Sequence, residues 1–210
     1  MSILPILTFP NSLLRKKAKP IKFIDNELKD LIVNMTDTLK QAQGVGLAAN
    51  QVGVLKRLCI IKSSPEDDYR AYINPEIINK SGTRFVNEGC LSFPEYNGIV
   101  KRSISITARY LDETGGKIKI TADELLSQAL EHEIDHLNGI LFIDHLKEHE
   151  KLVKNGIDDG HHNHDVNYSV NVEDNIKKEK FDSKLYTKTG IDDLNLALEK
   201  ADILKEVKGK

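Results

Sequence analysis

A chain of 210 residues, 40% hydrophobic and 30% charged, is long enough for one domain with a real core and has an ordinary globular composition. The formal net charge of −2 supplies no basic field for nucleic acid, and no apolar run approaches the length of a membrane-spanning helix. Cys59 and Cys90 are too few for a disulfide framework, and Met1-Ser2-Ile3-Leu4-Pro5 lacks the basic region and apolar core of a secretory signal, so a reducing cytoplasm is the expected location.

The first long helix is expected from about Asp25 to Gln43, because Leu28, Leu31, Ile32, Met35 and Leu39 recur at three- and four-residue steps. Asp25 or Asn26 would cap it, and its role is packing. Gly44-Val45-Gly46-Leu47-Ala48-Ala49-Asn50-Gln51-Val52-Gly53 follows, with little side-chain bulk, so backbone can pass close to backbone or ligand. It reads as a tightly packed loop that exposes one polar group, Gln51.

Short strands are expected at Arg57 to Ile61, Tyr69 to Ile73, Glu76 to Asn79 and Arg84 to Glu88. Cys59 lies inside an apolar run and reads as a buried structural thiol. Cys90, in Glu88-Gly89-Cys90-Leu91-Ser92-Phe93-Pro94, follows a glycine and precedes a turn; it suits either a nucleophile or a metal ligand. Ile99 to Leu111 reads as one long strand, with Ile104, Ile106 and Ala108 on one face and Ser103, Ser105 and Thr107 on the other. Gly115-Gly116 turns the chain into a hairpin with Lys117 to Ile120.

A second helix is expected from about Leu125 to Ile140, with Thr121 and Glu124 spaced as a capping box and Gly139 as a left-handed cap. It carries His132-Glu133-Ile134-Asp135-His136. Histidines four apart share a helix face and can hold one metal ion, with Glu133 able to reach a water on it. Two surface histidines spaced by chance are the plainer alternative. Cys90 suits the missing third ligand, and two His plus one Cys leave a fourth position for water, as catalytic sites do. Leu125 and Ala129 project on the His132 side, as pocket lining or as core.

Beyond about Glu150 the composition turns to Asp, Asn, Lys and Gly, as in loops. Val166 to Val172 alternates as a short strand would, while His161, His162 and His164 read as a solvated loop. A last amphipathic helix is expected at about Ile191 to Val207. The division expected is a catalytic domain over 1–148 and a divergent extension over 149–210.

The motifs Gly44 to Gln51, Glu88 to Ser92 and His132 to His136, in that order, resemble those of peptide deformylases, and the resemblance covers about Ile3 to Leu146, with Tyr72-Ile73-Asn74-Pro75 between the first two. It implies an α+β fold in which antiparallel sheets pack around a central metal-binding helix. The activity implied is metal-dependent hydrolysis that removes the N-formyl group from the N-terminal methionine of newly made polypeptides and releases formate. Carried over residue by residue, Cys90, His132 and His136 match the metal ligands, Glu133 the general acid/base, and Gln51 and the Leu91 amide the oxyanion donors. Gly46, with Val45, Leu125 and Ala129, matches substrate contacts, and Glu88 with Arg102 matches a structural ion pair beside the site. The cofactor implied is one divalent ion, Fe²⁺ natively, with Zn²⁺, Ni²⁺ or Co²⁺ able to replace it. The partners are N-formylmethionyl nascent peptides and, transiently, the ribosome, with no nucleic acid bound directly and no membrane.

The chain departs from the family's usual residues at three places: Glu131 in place of Gln, Asn97 where Arg is frequent, and Gln128 where an apolar or small residue is usual. Gln128 and Glu131 are expected to alter the pocket that the histidines close, and Asn97 the grip on the peptide backbone. The tail also differs from the family's short basic helix, on which ribosome docking would depend. Two rival readings are a zinc endopeptidase, with His145 or His149 as third ligand, and a non-catalytic metal-binding protein on the same fold.

Overall fold

The computed structural model describes residues 2–146 and 152–154. The loop and strand expected at 155–190, the helix at 191–207, and His149 lie outside the described residues.

Helix α1 spans Asn26–Ala42, and Asp25 caps it by accepting a 2.9 Å hydrogen bond from the Leu28 amide. The sequence stripe is its buried face: Leu28, Ile32, Met35 and Leu39 are buried and Leu31 packs at their edge. This face closes one core against Leu47, Leu58, Ile60, Ala71 and Ile73. The following loop forms a three-residue strand β1 (Gly46–Ala48) and a 3₁₀ turn over Ala49–Val52.

The strands β2 (Leu58–Ile61), β3 (Arg70–Ser81), β6 (Ser105–Leu111) and β7 (Lys117–Asp123) join β1 in an antiparallel sheet ordered β1-β2-β3-β6-β7. A smaller sheet is ordered β4-β5-β8, from Arg84–Cys90, Phe93–Arg102 and Val153–Lys154. Helix α2 (Glu124–Leu137) packs against β1, β2 and β7. Its apolar side, including Ala129, Leu130 and Leu137, shares a core with Ala48, Cys59, Ile61, Tyr72, Ile106 and Ala108. The α+β architecture around a central helix is the one expected.

Three local expectations need correction. The two strands read at Tyr69 to Ile73 and Glu76 to Asn79 are one strand, β3, with a register shift at Asn74-Pro75. Pro75 cannot donate to a ladder, but Asn74 bridges the break: its side chain bonds both the amide and carbonyl of Ile21 at 2.8 Å. Conversely, the single strand expected from Ile99 to Leu111 is two, β5 and β6, which belong to different sheets. The chain changes sheets at Ser103-Ile104, where the Ser103 amide donates to Glu131 at 2.8 Å, and Ile104 is exposed rather than on the buried face with Ile106 and Ala108. Finally, Thr121 is not a helix cap: it pairs with Thr107 inside β7, the cap position falls to Asp123, and no side chain bonds there. Gly139 does adopt the left-handed conformation expected past the helix end (φ 77°), and a Cβ there would collide with the Arg15 backbone.

Candidate metal centre and catalytic cleft

Three elements meet at one point. Helix α2 brings His132 and His136 one turn apart, with ring centroids 4.9 Å from each other. The end of β4 brings Cys90, whose Sγ lies 3.2 Å from His136 Nε2. One donor atom from each of Cys90, His132 and His136 falls within 4.8 Å of the others. A thiolate and two imidazoles at that spacing make a donor set suited to a borderline-soft divalent ion. Burial alone would push the Cys90 thiol up, but His136 and His132, which also hydrogen-bond the sulfur, hold it down at about 5. The thiolate, the form that binds metals, therefore prevails at neutral pH. The donor set fits a metal.

Glu133 stands beside this group, almost fully buried, and its Oε2 has no hydrogen-bond partner. Burial pushes its carboxyl up to about 7 against the pull of the two histidines. A carboxyl that ionises near neutrality, next to a metal-binding group, can take and return a proton. Gly46 makes room for it: a Cβ there would lie 2.9 Å from Glu133 Cγ and closer still to the carboxylate.

Gln51 is not exposed, as the loop reading had it, but almost wholly buried. Its Oε1 accepts from the Ala48 amide at 2.8 Å, which turns Nε2 toward Ser92 Oγ (3.1 Å) and Cys90 Sγ (3.6 Å). The 3₁₀ turn therefore aims an amide donor at the candidate metal-binding group. Gln51, Cys90, His132 and Glu133 line a cavity of about 470 Å³, which also takes in Val45, Gly46, Leu91, Leu125, Gln128 and Ala129. The structure thus brings all the sequence-predicted site residues to one cleft or its immediate support. Leu125 is partly exposed at its rim and Ala129 is buried in its wall.

Glu88 and Arg102 form a buried, two-point ion pair (Arg102 Nε to Oε1 2.7 Å, the second nitrogen to Oε2 2.9 Å). Glu88 Oε2 also meets His132 Nδ1 at 2.9 Å, so the pair fixes the ring of one candidate ligand. Burial works to raise the Glu88 carboxyl, yet hydrogen bonds with His132 and Arg102 hold it down at about 2.

Among the departures, Gln128 does line the cavity, and its amide donates to the Asn87 carbonyl at 3.2 Å. Glu131 does not: it faces away from the cavity and binds Ser103 and Lys80 (2.6 Å). Its expected effect on the pocket is therefore corrected, since successive helix residues point about a quarter-turn apart. Asn97 sits on β5 opposite Gly89, outside the cavity lining.

Sequence reasoning passed over three contributors. Asn50 donates to the main-chain carbonyls of His136 and Leu14, tying the 3₁₀ turn to α2. Ser92 receives Gln51, and Asp135 bonds both Arg102 (2.6 Å) and His145 (2.8 Å). All three stand inside the quoted motifs, where the motifs alone assign them no role. His145, a candidate third ligand under the endopeptidase reading, is committed to Asp135 instead.

Comparisons with known proteins agree with this geometry. Residues 3–152 match the family model described as polypeptide deformylase. A peptide deformylase of Dehalococcoides mccartyi is 45% identical over 159 residues, which is 76% of this chain and 95% of that relative. The crystal structure of a peptide deformylase from Legionella pneumophila superposes with a TM-score of 0.68 at 42% identity, covering 70% of this chain and 88% of that one. A Met-Ala-Ser-bound class I type b peptide deformylase from Acinetobacter baumannii gives 0.67 at 33% identity, covering 70% and 100%.

Proposed function

The chain belongs to the polypeptide deformylase family, and from that premise we propose how its residues divide the work of taking the N-formyl group from nascent peptides. It is an enzyme, a peptide deformylase, and the endopeptidase alternative is not favoured. The observation that carries the assignment of roles is the convergence of Cys90, His132 and His136 beside a buried Glu133 and an inward-turned Gln51.

Cys90, His132 and His136 would hold one divalent ion, which supplies Lewis-acid polarisation and water ionised near neutral pH when bound. Fe²⁺ is our proposed native ion, with Zn²⁺, Ni²⁺ and Co²⁺ as substitutes, since imidazole and thiolate donors accept all four. Glu133 takes a proton from the attacking water as its oxygen bonds to the formyl carbon. As the C–N bond breaks, Glu133 returns that proton to the departing amine, and formate is left. Gln51 Nε2 and the Leu91 amide donate to the carbonyl oxygen as it gains charge, a contribution of the kind worth about 10²–10³ in rate per donor. Val45 and Gly46 contact the peptide main chain, and Leu125 and Ala129 receive the methionine side chain; all four line the cavity, and the Acinetobacter relative, solved with Met-Ala-Ser bound, supports a short peptide as the ligand. The catalytic unit proposed is residues 1–148, with 149–210 as a divergent extension whose Val153–Lys154 still pairs with β5 of the smaller sheet. Nascent peptides as substrate place the work in the cytoplasm, with transient contact at the ribosome.

Among the described residues, no helix is long and apolar enough to cross a membrane. The test is formate release from a formyl-Met-Ala peptide by wild type and Glu133→Ala, each with its metal content measured after anaerobic purification. Loss of formate release with metal retained is expected; comparable rates would remove Glu133 from the mechanism. Iron in the purified protein supports the proposed native ion, and its replacement by another metal would reassign it.

A further inference from the structure

Beyond the ion pair of Glu88 and Arg102, a chain of contacts runs from a candidate metal ligand to the surface. His132 presents Nδ1 to Glu88, and both Glu88 oxygens are taken by Arg102 through Nε and one terminal nitrogen. The other terminal nitrogen of Arg102 is 2.6 Å from Asp135 Oδ2. His145 Nε2 lies 2.8 Å from the same Oδ2. The His132 side chain is 11% exposed, Glu88 and Arg102 beyond it are 2% exposed, and exposure then rises to 19% for Asp135 and 33% for His145. The five residues come from β4, β5, α2 and the 3₁₀ turn Phe142–His145. That turn is itself pinned, since Asp144 accepts from the Leu141 amide at 2.8 Å and pairs with Arg15.

We infer that Asp135 and His145 are positioning residues for the metal site, acting through Arg102 and Glu88 on the ring orientation of His132. This rests on the reading of Cys90, His132 and His136 as metal ligands. A guanidinium is a rigid planar fork, so holding its outer nitrogen fixes the plane in which the other two grip a carboxylate. Asp135 supplies that hold. It sits on the partly exposed side of α2, where a carboxylate with one partner can turn toward solvent; the His145 contact gives it a second. Glu88, kept in register, holds Nδ1 of His132 and so presents the other ring nitrogen toward Cys90.

The test is competition for Zn²⁺ between the purified full-length chain and a chelator of known affinity, with no assay of catalysis. Replacing groups that support a metal ligand typically weakens binding about 10- to 100-fold, so Asp135→Ala and His145→Phe are expected to lose about tenfold, while His145→Gln, whose amide nitrogen can stand in for Nε2, stays within about twofold of wild type. Circular dichroism and melting curves accompany each variant. Should His145→Phe fail to fold, His145→Asn, which is too short to make the bond, replaces it. Wild-type zinc affinity in Asp135→Ala and the folded His145 variant, alongside loss of zinc in Cys90→Ala, would overturn this inference alone. An equal loss in His145→Gln and His145→Phe would overturn it too, because the hydrogen bond would not be the cause. Retention of zinc by Cys90→Ala would bring down the ligand reading beneath it.

Discussion

The carboxylate of Glu133 occupies the space that a side chain at Gly46 would fill. Strand β1 and helix α2 are therefore fitted to each other at Glu133, the proposed general acid/base, and the absence of a Cβ at position 46 makes room for its carboxylate. The obstructing atoms are the end of a flexible side chain rather than backbone, so Gly46→Ala should move Glu133 and leave the fold in place. A displaced general acid/base forfeits much of a contribution usually worth about 10²–10⁴, so kcat for formyl-Met-Ala should fall by at least about 100-fold. The melting temperature should change little. Full activity in Gly46→Ala would show that Glu133 has room to spare and that its position matters less than we conclude.

Gln51 uses its two ends differently. Oε1 is spent on the Ala48 amide, and Nε2 is turned toward Cys90 and Ser92. Gln51→Glu keeps an acceptor for Ala48 but has no donor for the reacting oxygen. Its kcat should fall about 10²–10³-fold while the protein stays folded with its metal bound. Steady-state kinetics on a formyl-Met peptide decides it: a loss confined to KM would make Gln51 a substrate-binding residue instead.

Much of this site was legible because its chemistry is carried by short motifs whose spacing has a physical meaning. The His132/His136 interval, the glycine at 46 and the thiol at 90 each restrict what can stand there. Gln51 was identified, but its burial was not, because a loop rich in glycine and alanine gives no sign of which side faces inward. Glu131 misled for a related reason. It adjoins His132 in sequence, yet the helix turns it to another face, where Ser103 and Lys80 hold it. Asp135 and His145 were invisible as a pair, since nothing local says that a carboxylate on α2 and a ring ten residues later share a contact. The strand errors have one origin. Alternation identifies a strand but not its sheet, so the crossing at Ser103 and the bridged break at Asn74 both needed tertiary partners to be seen.

The two cysteines should differ sharply in reactivity. Burial raises the Cys59 thiol well above 9.0, and it lies wholly inside the core, whereas the histidines hold Cys90 at about 5 on the cavity wall. After chelator treatment at pH 7, iodoacetamide should modify Cys90 alone, and Cys59 only once the chain is denatured; mass spectrometry of tryptic peptides reads both. Because the folded value of Cys59 is raised, its effect on stability is fully present below pH 9.0 and is lost as pH rises above it, where the unfolded thiol ionises and the native one does not. Wild type should therefore lose melting temperature relative to Cys59→Ala as pH climbs past 9. Early labelling of Cys59 at pH 7 would contradict its place in the core.

Glu88 governs the acid side. Its folded carboxyl is held at about 2 against an ordinary 4.5: burial opposes the charge, and hydrogen bonds with His132 and Arg102 outweigh it. A depressed value contributes stability that is complete above 4.5 and disappears as pH falls through the window down to about 2, because the unfolded chain takes up the proton first. Glu88→Gln removes this dependence and leaves Arg102 with a neutral partner in a buried site. Breaking a buried pair from one side typically costs about 3–5 kcal/mol, so the variant should melt well below wild type at pH 7. The gap should then narrow as pH drops from 4.5 toward 2, since wild type loses what the variant never had. Melting curves across that range for both proteins settle the matter. A gap that stays constant would mean that Glu88 supports the fold by shape and hydrogen bonding alone, and that its charge is not what keeps Arg102 and His132 in register.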